Sequence, residues 1–204
     1  MINLKYPILE PGLYVISLPI GCLSDLTFRA LNVLKMTKNI FAEDTRNAKA
    51  LLLSLDIDIA QKKISSYHEH TSKTERKKVI QLIKSGESVS LICDAGTPLI
   101  SDPGYKLIRE IIDSGLKVLS VPGVSSPIAA LSVSGLPTDT FSFIGFLPVS
   151  KNKKLEILLK YKELKSSLII FDSGKRIHKT LKLINEVYDP MTEICICREL
   201  TKKY

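Results

Sequence analysis

Asp94-Ala95-Gly96-Thr97-Pro98-Leu99-Ile100-Ser101-Asp102-Pro103-Gly104 follows directly on the apolar run Val89 to Cys93. A strand-length apolar stretch that stops at an acid, two glycines and two prolines predicts a turn presenting bare backbone. Gly96 and Gly104 can take backbone angles closed to other residues, while Pro98 and Pro103 stiffen the loop between them. A second break, Val121 to Ser126 (VPGVSS), follows the next apolar run. Two adjacent strand ends would then open onto one crevice, the place where open α/β sheets hold small molecules.

Outward from these breaks, apolar runs alternate with helical periodicity. Strands are expected at Leu13–Leu18, Ile40–Glu43, near Ile64, Val89–Cys93 and Leu116–Val121. Helices are expected at Asp25–Leu34, Arg46–Leu55, Thr71–Ser85 and Tyr105–Ser114. Strands separated by helices of this length imply an α/β fold with a mainly parallel sheet and right-handed crossovers. Beyond Ser126 the series restarts with a small-residue helix at Pro127–Ser134 and a strand at Phe141–Leu147. A basic linker, PVSKNKK, leads to a helix at Lys154–Leu164, then a strand at Leu168–Phe171, a helix at Ile177–Val187 and a strand at Glu193–Cys197. The expected organisation is an N-terminal lobe over residues 1–122 and a smaller α/β lobe over 123–204, with a ligand crevice between them.

The chain has 204 residues, 45% of them hydrophobic and 25% charged, the composition of a protein with a real core. Met1 to Leu13 carries Lys5, Pro7, Glu10 and Pro11, which interrupt any leader-like apolar segment, and no later stretch approaches a membrane span. The expected location is the cytoplasm. Four cysteines form no CxxC pair; Cys93, Cys195 and Cys197 lie in strand-like surroundings suited to buried thiols, and Cys22 lies in a loop. No metal site or disulfide is expected. The net charge of +8 is uneven, since Lys151 to Tyr204 holds thirteen Lys and Arg against seven Asp and Glu. That asymmetry fits either a polyanionic partner such as RNA or a solvated, lysine-rich surface.

Neither GxGxxG nor GxxxxGK[ST] occurs, which removes the dinucleotide fingerprint and the P-loop. The first strand ends instead in LPIGCLSD, where Ser24 or Asp25 would cap the following helix. AEDTR, Ala42 to Arg46, places two carboxylates at a strand end with an arginine behind them, as a cap or as ligand acceptors. YHEH, Tyr67 to His70, suits loop polarity or RNA contact better than a metal. Ser125 and Ser126 precede a helix, where hydroxyls and free amides serve as a cap or hold a ligand carboxylate.

LPIGCLSD, AEDTR, YHEH, CDAGTPLISDPGY, VPGVSS and SGLPTDTFSFIGFLP occur in the order and spacing of one family. From about Gly12 to Thr201 the chain resembles the ribosomal RNA methyltransferase branch of the tetrapyrrole methylase superfamily, and a match as long as DAGTPLISDPGY is far more specific than a short pattern. The resemblance implies a homodimer of two-lobed α/β subunits, each holding S-adenosylmethionine in the cleft, and methylation of a cytidine ribose 2′-hydroxyl in 16S ribosomal RNA. By matching positions, the cofactor would touch Pro19, Ala95, Gly96, Thr97, Ile100, Ser125 and Ser126, with Phe171 and Leu200 closing the far side. The chain departs from the family at Cys22, usually asparagine, and at Asp172 to Arg176 (DSGKR for ESPHR). It also stops at Tyr204, where family members continue with a segment bearing on cofactor closure and RNA binding.

A ribose hydroxyl is a weak acid, so a general base would assist; Asp44 is the first choice, with Glu43 and His68 behind it. Arg46, Lys151, Lys153, Lys154, Lys175 and Arg176 are the expected phosphate contacts. Two other readings share parts of this pattern: a cobalamin- or sirohaem-pathway methyltransferase, and a non-catalytic RNA-binding ribosome-assembly protein. AEDTR and the basic C-terminal half favour RNA as substrate.

Overall fold

The computed structural model describes residues 8–203, so the leader reading of Met1 to Pro7 lies outside the described residues. Two compact units are present, one of residues 1–125 with 201–204, the other of residues 126–200.

In the first unit, β1 (Gly12–Ile16), β2 (Asn39–Ala42), β3 (Lys63–Ser66), β4 (Ser88–Ile92) and β5 (Val118–Val121) form one parallel sheet in the order β3-β2-β4-β1-β5. The connections are α1 (Phe28–Met36), α2 (Thr45–Ser54), α3 (Lys73–Lys84) and α4 (Tyr105–Asp113). Successive strand residues point to opposite faces, so neighbours in sequence enter different cores. Tyr14 and Ile16 pack with Ala30, Leu34 and Leu52 from α1 and α2, while Leu13, Val89 and Leu91 pack with Val79, Ile83, Leu107 and Ile111 from α3 and α4. Helices thus cover both faces, which is what runs apolar on both sides require. One polar chain crosses this interior: the fully buried Ser90 hydroxyl donates to Thr37 Oγ1 (3.0 Å), and Thr37 donates to the Val33 carbonyl (2.7 Å). Each buried hydroxyl is satisfied, and together they tie the end of α1 to β4.

The helix expected from Asp25 is shorter and begins later. Leu23–Asp25 is a single 3-10 turn, Leu26 returns to extended backbone, and Thr27 caps α1 by accepting from the Ala30 amide (3.1 Å). Neither Ser24 nor Asp25 is that cap.

The second unit contains α5 (Ser126–Val133), β6 (Phe141–Phe146), α6 (Lys151–Lys162), β7 (Ser167–Phe171) and α7 (Ile177–Val187), with β6 and β7 paired in parallel. Leu147, Leu158, Leu183 and Val187 form its core. Three expectations fail here. The basic stretch taken as a linker is the first turn of α6, because Lys151 to Lys154 continue the helical register that carries Leu158. Glu193 to Cys197 is no strand, because no described strand ladders with it, and Cys195 and Cys197 are exposed where buried thiols were expected. Cys93 is buried, as expected. Among the described residues no helix is long and apolar enough to cross a membrane.

Candidate functional site

The strands that carry the two sequence breaks, β4 and β5, are not adjacent as expected: β1 lies between them, so the loop after β1 runs between the other two at the carboxyl ends of the strands. Leu18 and Gly96 exchange backbone hydrogen bonds (2.8 and 3.1 Å), joining the loop after β1 to the loop after β4. Thr97 adds the third loop by donating its hydroxyl to the Val124 carbonyl (2.8 Å). With that single proton engaged, the Ser17 hydroxyl 2.9 Å away must be the donor to Thr97. Gly123 packs so tightly that a β-carbon there would sit 3.0 Å from Ser17 Cβ.

The loop after β4 is also conformationally strained. Gly96 (φ +77°) and Gly104 (φ +146°) take angles suited to glycine, but so do Leu99 (φ +73°) and Ser101 (φ +67°), at a cost of about 1 kcal/mol or more each. Leu99 is held over Gly104, where a β-carbon would meet its Cγ at 3.1 Å. Such strain persists only where the surroundings over-determine it.

Within the first unit a cavity of about 320 Å³ opens beside these loops, bordered by Pro19, Gly21, Asn47, Leu51, Asp94 and Ala95 among others. Of the expected cofactor residues in this unit, Pro19 and Ala95 line it; Gly96 and Thr97 form the joined loops behind, Ile100 is 40% exposed, and Ser125 ends the unit. Ser126, Phe171 and Leu200 belong to the second unit. There Phe171 stacks edge-on against Phe143 and tilts against Phe146, 4.9 and 5.3 Å between centroids. Cys22 is half-buried, its amide donating to Thr201 Oγ1 (3.1 Å).

The carboxylates at the end of β2 differ sharply. Asp44 caps α2 by accepting from the Arg46 amide (2.8 Å) and pairs with the Arg46 guanidinium (2.5 Å), which holds its carboxyl at about 2. A carboxylate bound so firmly as an anion is a poor proton acceptor, so the sequence-based preference for Asp44 as base does not suit its surroundings. Glu43 is pushed the other way, above the ordinary glutamate range, by desolvation and then by the charges of Asp102 and Asp94. Asp102 is itself raised by burial, and burial also raises the Cys93 thiol. Asp94 is steadied by the Asn47 side-chain amide, which donates to Oδ2 at 2.8 Å. His68 lies on the exposed loop after β3, its ring 6.3 Å from that of His70, and among the described residues no group of three or more His, Cys, Asp and Glu is placed to hold a metal.

Asp94, Asp102, Asn47 and Ser17 were not singled out from sequence. The two aspartates were in plain view inside the opening stretch but read only as loop punctuation; nothing local marks Asn47 or Ser17.

Among the expected phosphate contacts, Lys153 and Lys175 are exposed. Lys151 is exposed and paired with Glu186 (3.2 Å), Arg46 with Asp44, and Arg176 with Asp172 (3.2 Å). Lys154 is only 6% exposed, on the same face of α6 as Leu158, so it is part of the packed side of the helix and not of a phosphate-binding surface. Thirteen basic residues in one stretch cannot all be told apart by count; the helical register separates them.

A family model described as Tetrapyrrole (Corrin/Porphyrin) Methylases matches residues 12–204. The chain is 48% identical to the Ribosomal RNA small subunit methyltransferase I of Rickettsia prowazekii (strain Madrid E), covering 97% of this chain and 69% of that protein. It is 43% identical to the protein of the same name from Halalkalibacterium halodurans, covering 94% and 65%. It therefore spans about two thirds of the length of these relatives. Among solved structures, a crystal structure of uroporphyrin-III-C-methyltransferase from Thermus thermophilus aligns with TM-score 0.56 at 19% identity, over 88% of this chain and 75% of that one. The methyltransferase CobJ aligns with TM-score 0.64 at 14% identity, over 88% and 77%. At such identities the two structures speak for the fold alone.

Proposed function

This chain belongs to the tetrapyrrole (corrin/porphyrin) methylase family, and on that premise we propose that it is an S-adenosylmethionine-dependent methyltransferase of ribosomal RNA. In this reading the acceptor is the 2′-hydroxyl of a cytidine ribose in 16S ribosomal RNA. The names of its relatives support RNA as the substrate class. The observation that carries the reading is the joining of the loops after β1, β4 and β5, the first two of which line a cavity together with residues of α2.

The first unit's residues fit a nucleoside-bearing cofactor. A β-carbon on Gly96 would lie 3.5 Å from Ile20 Cγ2 and 4.0 Å from the Val124 carbonyl, filling space the glycine leaves open. Pro19, Ala95, Gly96, Thr97, Ile100 and Ser125 are this unit's residues for the cofactor. Bound S-adenosylmethionine supplies a methyl group already activated on a sulfonium. What remains for the protein is to fix the loops, position the acceptor hydroxyl and accept its proton.

Glu43 is the proton acceptor in this account, ahead of His68 and Asp44. Desolvation and two neighbouring carboxylates raise its affinity for a proton, whereas Arg46 lowers that of Asp44. Lys153 and Lys175, with Lys151, Arg46 and Arg176, contact RNA phosphates, which position the substrate without reading its sequence. The reading extends to a homodimer acting in the cytoplasm.

The test is transfer of a labelled methyl group from S-adenosylmethionine to small ribosomal subunits lacking the mark, followed by digestion to nucleosides. Label in 2′-O-methylcytidine is the expected result. Label on a base, on a tetrapyrrole, or on nothing would overturn the assignment.

A further inference from the structure

Cys195 and Cys197 stand two residues apart in a run outside any helix or strand. Their sulfurs are 3.7 Å apart, and both residues are exposed. Both border the cavity of about 800 Å³ in the second unit. The Cys197 sulfur also contacts the Ala130 carbonyl (3.8 Å), which ties the run to α5. Nothing in the methyl-transfer reading uses either thiol.

We propose that Cys195 and Cys197 form a bidentate dithiolate site for a thiophilic divalent cation of the zinc class. A tetrahedral ion with metal–sulfur bonds of about 2.3 Å spans two ligands across an edge of about 3.8 Å. The two sulfurs already stand at that separation. A disulfide would need them at roughly half of it, so the two are free thiols here. Thiolates select soft and borderline metals over calcium or magnesium. Among the described residues no larger group of His, Cys, Asp and Glu gathers around the pair, so water completes the coordination and the site is open and exchangeable.

Binding is balanced as follows. Two S–H bonds break, two metal–sulfur bonds form, and two protons pass to solvent. Because both thiols must lose a proton to bind, protons compete with the ion and affinity increases as pH rises.

Cadmium is the probe, because its thiolate complexes absorb in the ultraviolet. Titrating the reduced full chain with Cd²⁺ should give one ion per chain, a thiolate-to-cadmium charge-transfer band, and release of about two protons per ion. Cys195→Ser and Cys197→Ser should each weaken binding by about tenfold or more, since a hydroxyl is a harder donor that keeps its proton. Cys22→Ser should leave binding unchanged. Unaltered affinity in both of the first two variants, or a loss that follows Cys22, would overturn the site. Should either serine variant misfold by circular dichroism, alkylation of the wild-type chain decides. Cd²⁺ must then protect Cys195 and Cys197 together in peptide mass spectra, and equal modification with and without the ion contradicts the proposal.

Discussion

Glu43 and Asp44 are adjacent in sequence and opposite in chemistry. The difference comes from their surroundings: Asp44 meets a helix amide and a guanidinium, while Glu43 is desolvated and feels the negative charges of Asp102 and Asp94. Replacing Glu43 by Gln should lower kcat by about a hundredfold or more. In the wild type, activity should fall on the acid side at a pH above the ordinary glutamate range. The same change should raise the melting temperature at neutral pH. A group whose folded-state proton affinity is raised stabilises the fold only while protonated, so ionised Glu43 is a burden that Gln removes, and the gain should fade below the unfolded carboxylate range. Unchanged kcat, with no shift of the acid limb, would exclude Glu43. Thr97→Val removes the hydroxyl linking two loops and leaves the Val124 carbonyl unpaired, which should cost about 1–3 kcal/mol in denaturant unfolding. An unmoved midpoint would mean that Thr97 braces nothing. At this scale sequence gave the residue types but not their partners. Asn47, forty-seven positions from Asp94, has no local pattern that announces it.

Among elements, the parallel sheet was legible because each apolar run of the first unit is bounded by a turn or a capped helix. The errors fall where capping or pairing depends on something distant. Asp25 offered a cap in sequence, yet Thr27 takes that role after an intervening 3-10 turn. Glu193 to Cys197 alternates like a strand, but alternation does not supply a ladder partner. The end of α1 is closed by a residue no periodicity predicts: Lys62 donates to the carbonyls of Leu34, Lys35 and Thr37 at 2.9, 2.6 and 2.8 Å. Lys62→Met should therefore destabilise the fold by about 1 kcal/mol, at the low end for hydrogen bonds to a charged group because the ammonium is partly solvated. In α3, Ser72 and Glu75 form a reciprocal capping box, and Ser72→Ala should cost about 1 kcal/mol. Thermal unfolding of both variants checks these values; wild-type stability in either would mean that its contacts contribute nothing net.

For the whole molecule, charge and the two units carry the account. The basic excess of the C-terminal stretch was legible by counting, but its use was not, because ion pairs occupy Lys151 and Arg176 and the core of α6 takes Lys154. Exposed Lys153 and Lys175 bear the prediction: reversing both to Glu should weaken RNA binding and flatten its dependence on salt by about two phosphate contacts. A salt slope equal to that of the wild type would remove them from the RNA surface. The expected cofactor residues divide between the units, and in the first unit Gly96 and Thr97 are joined by hydrogen bonds to Leu18, Ser17 and Val124 of the neighbouring loops. The central claim is that these joined strand ends grip the methyl donor. Calorimetric titration of S-adenosylmethionine into the wild type and into Thr97→Arg tests it most directly, with circular dichroism confirming that both are folded. Binding to the wild type that vanishes in the variant is the predicted result; equal affinity in the two would contradict the claim.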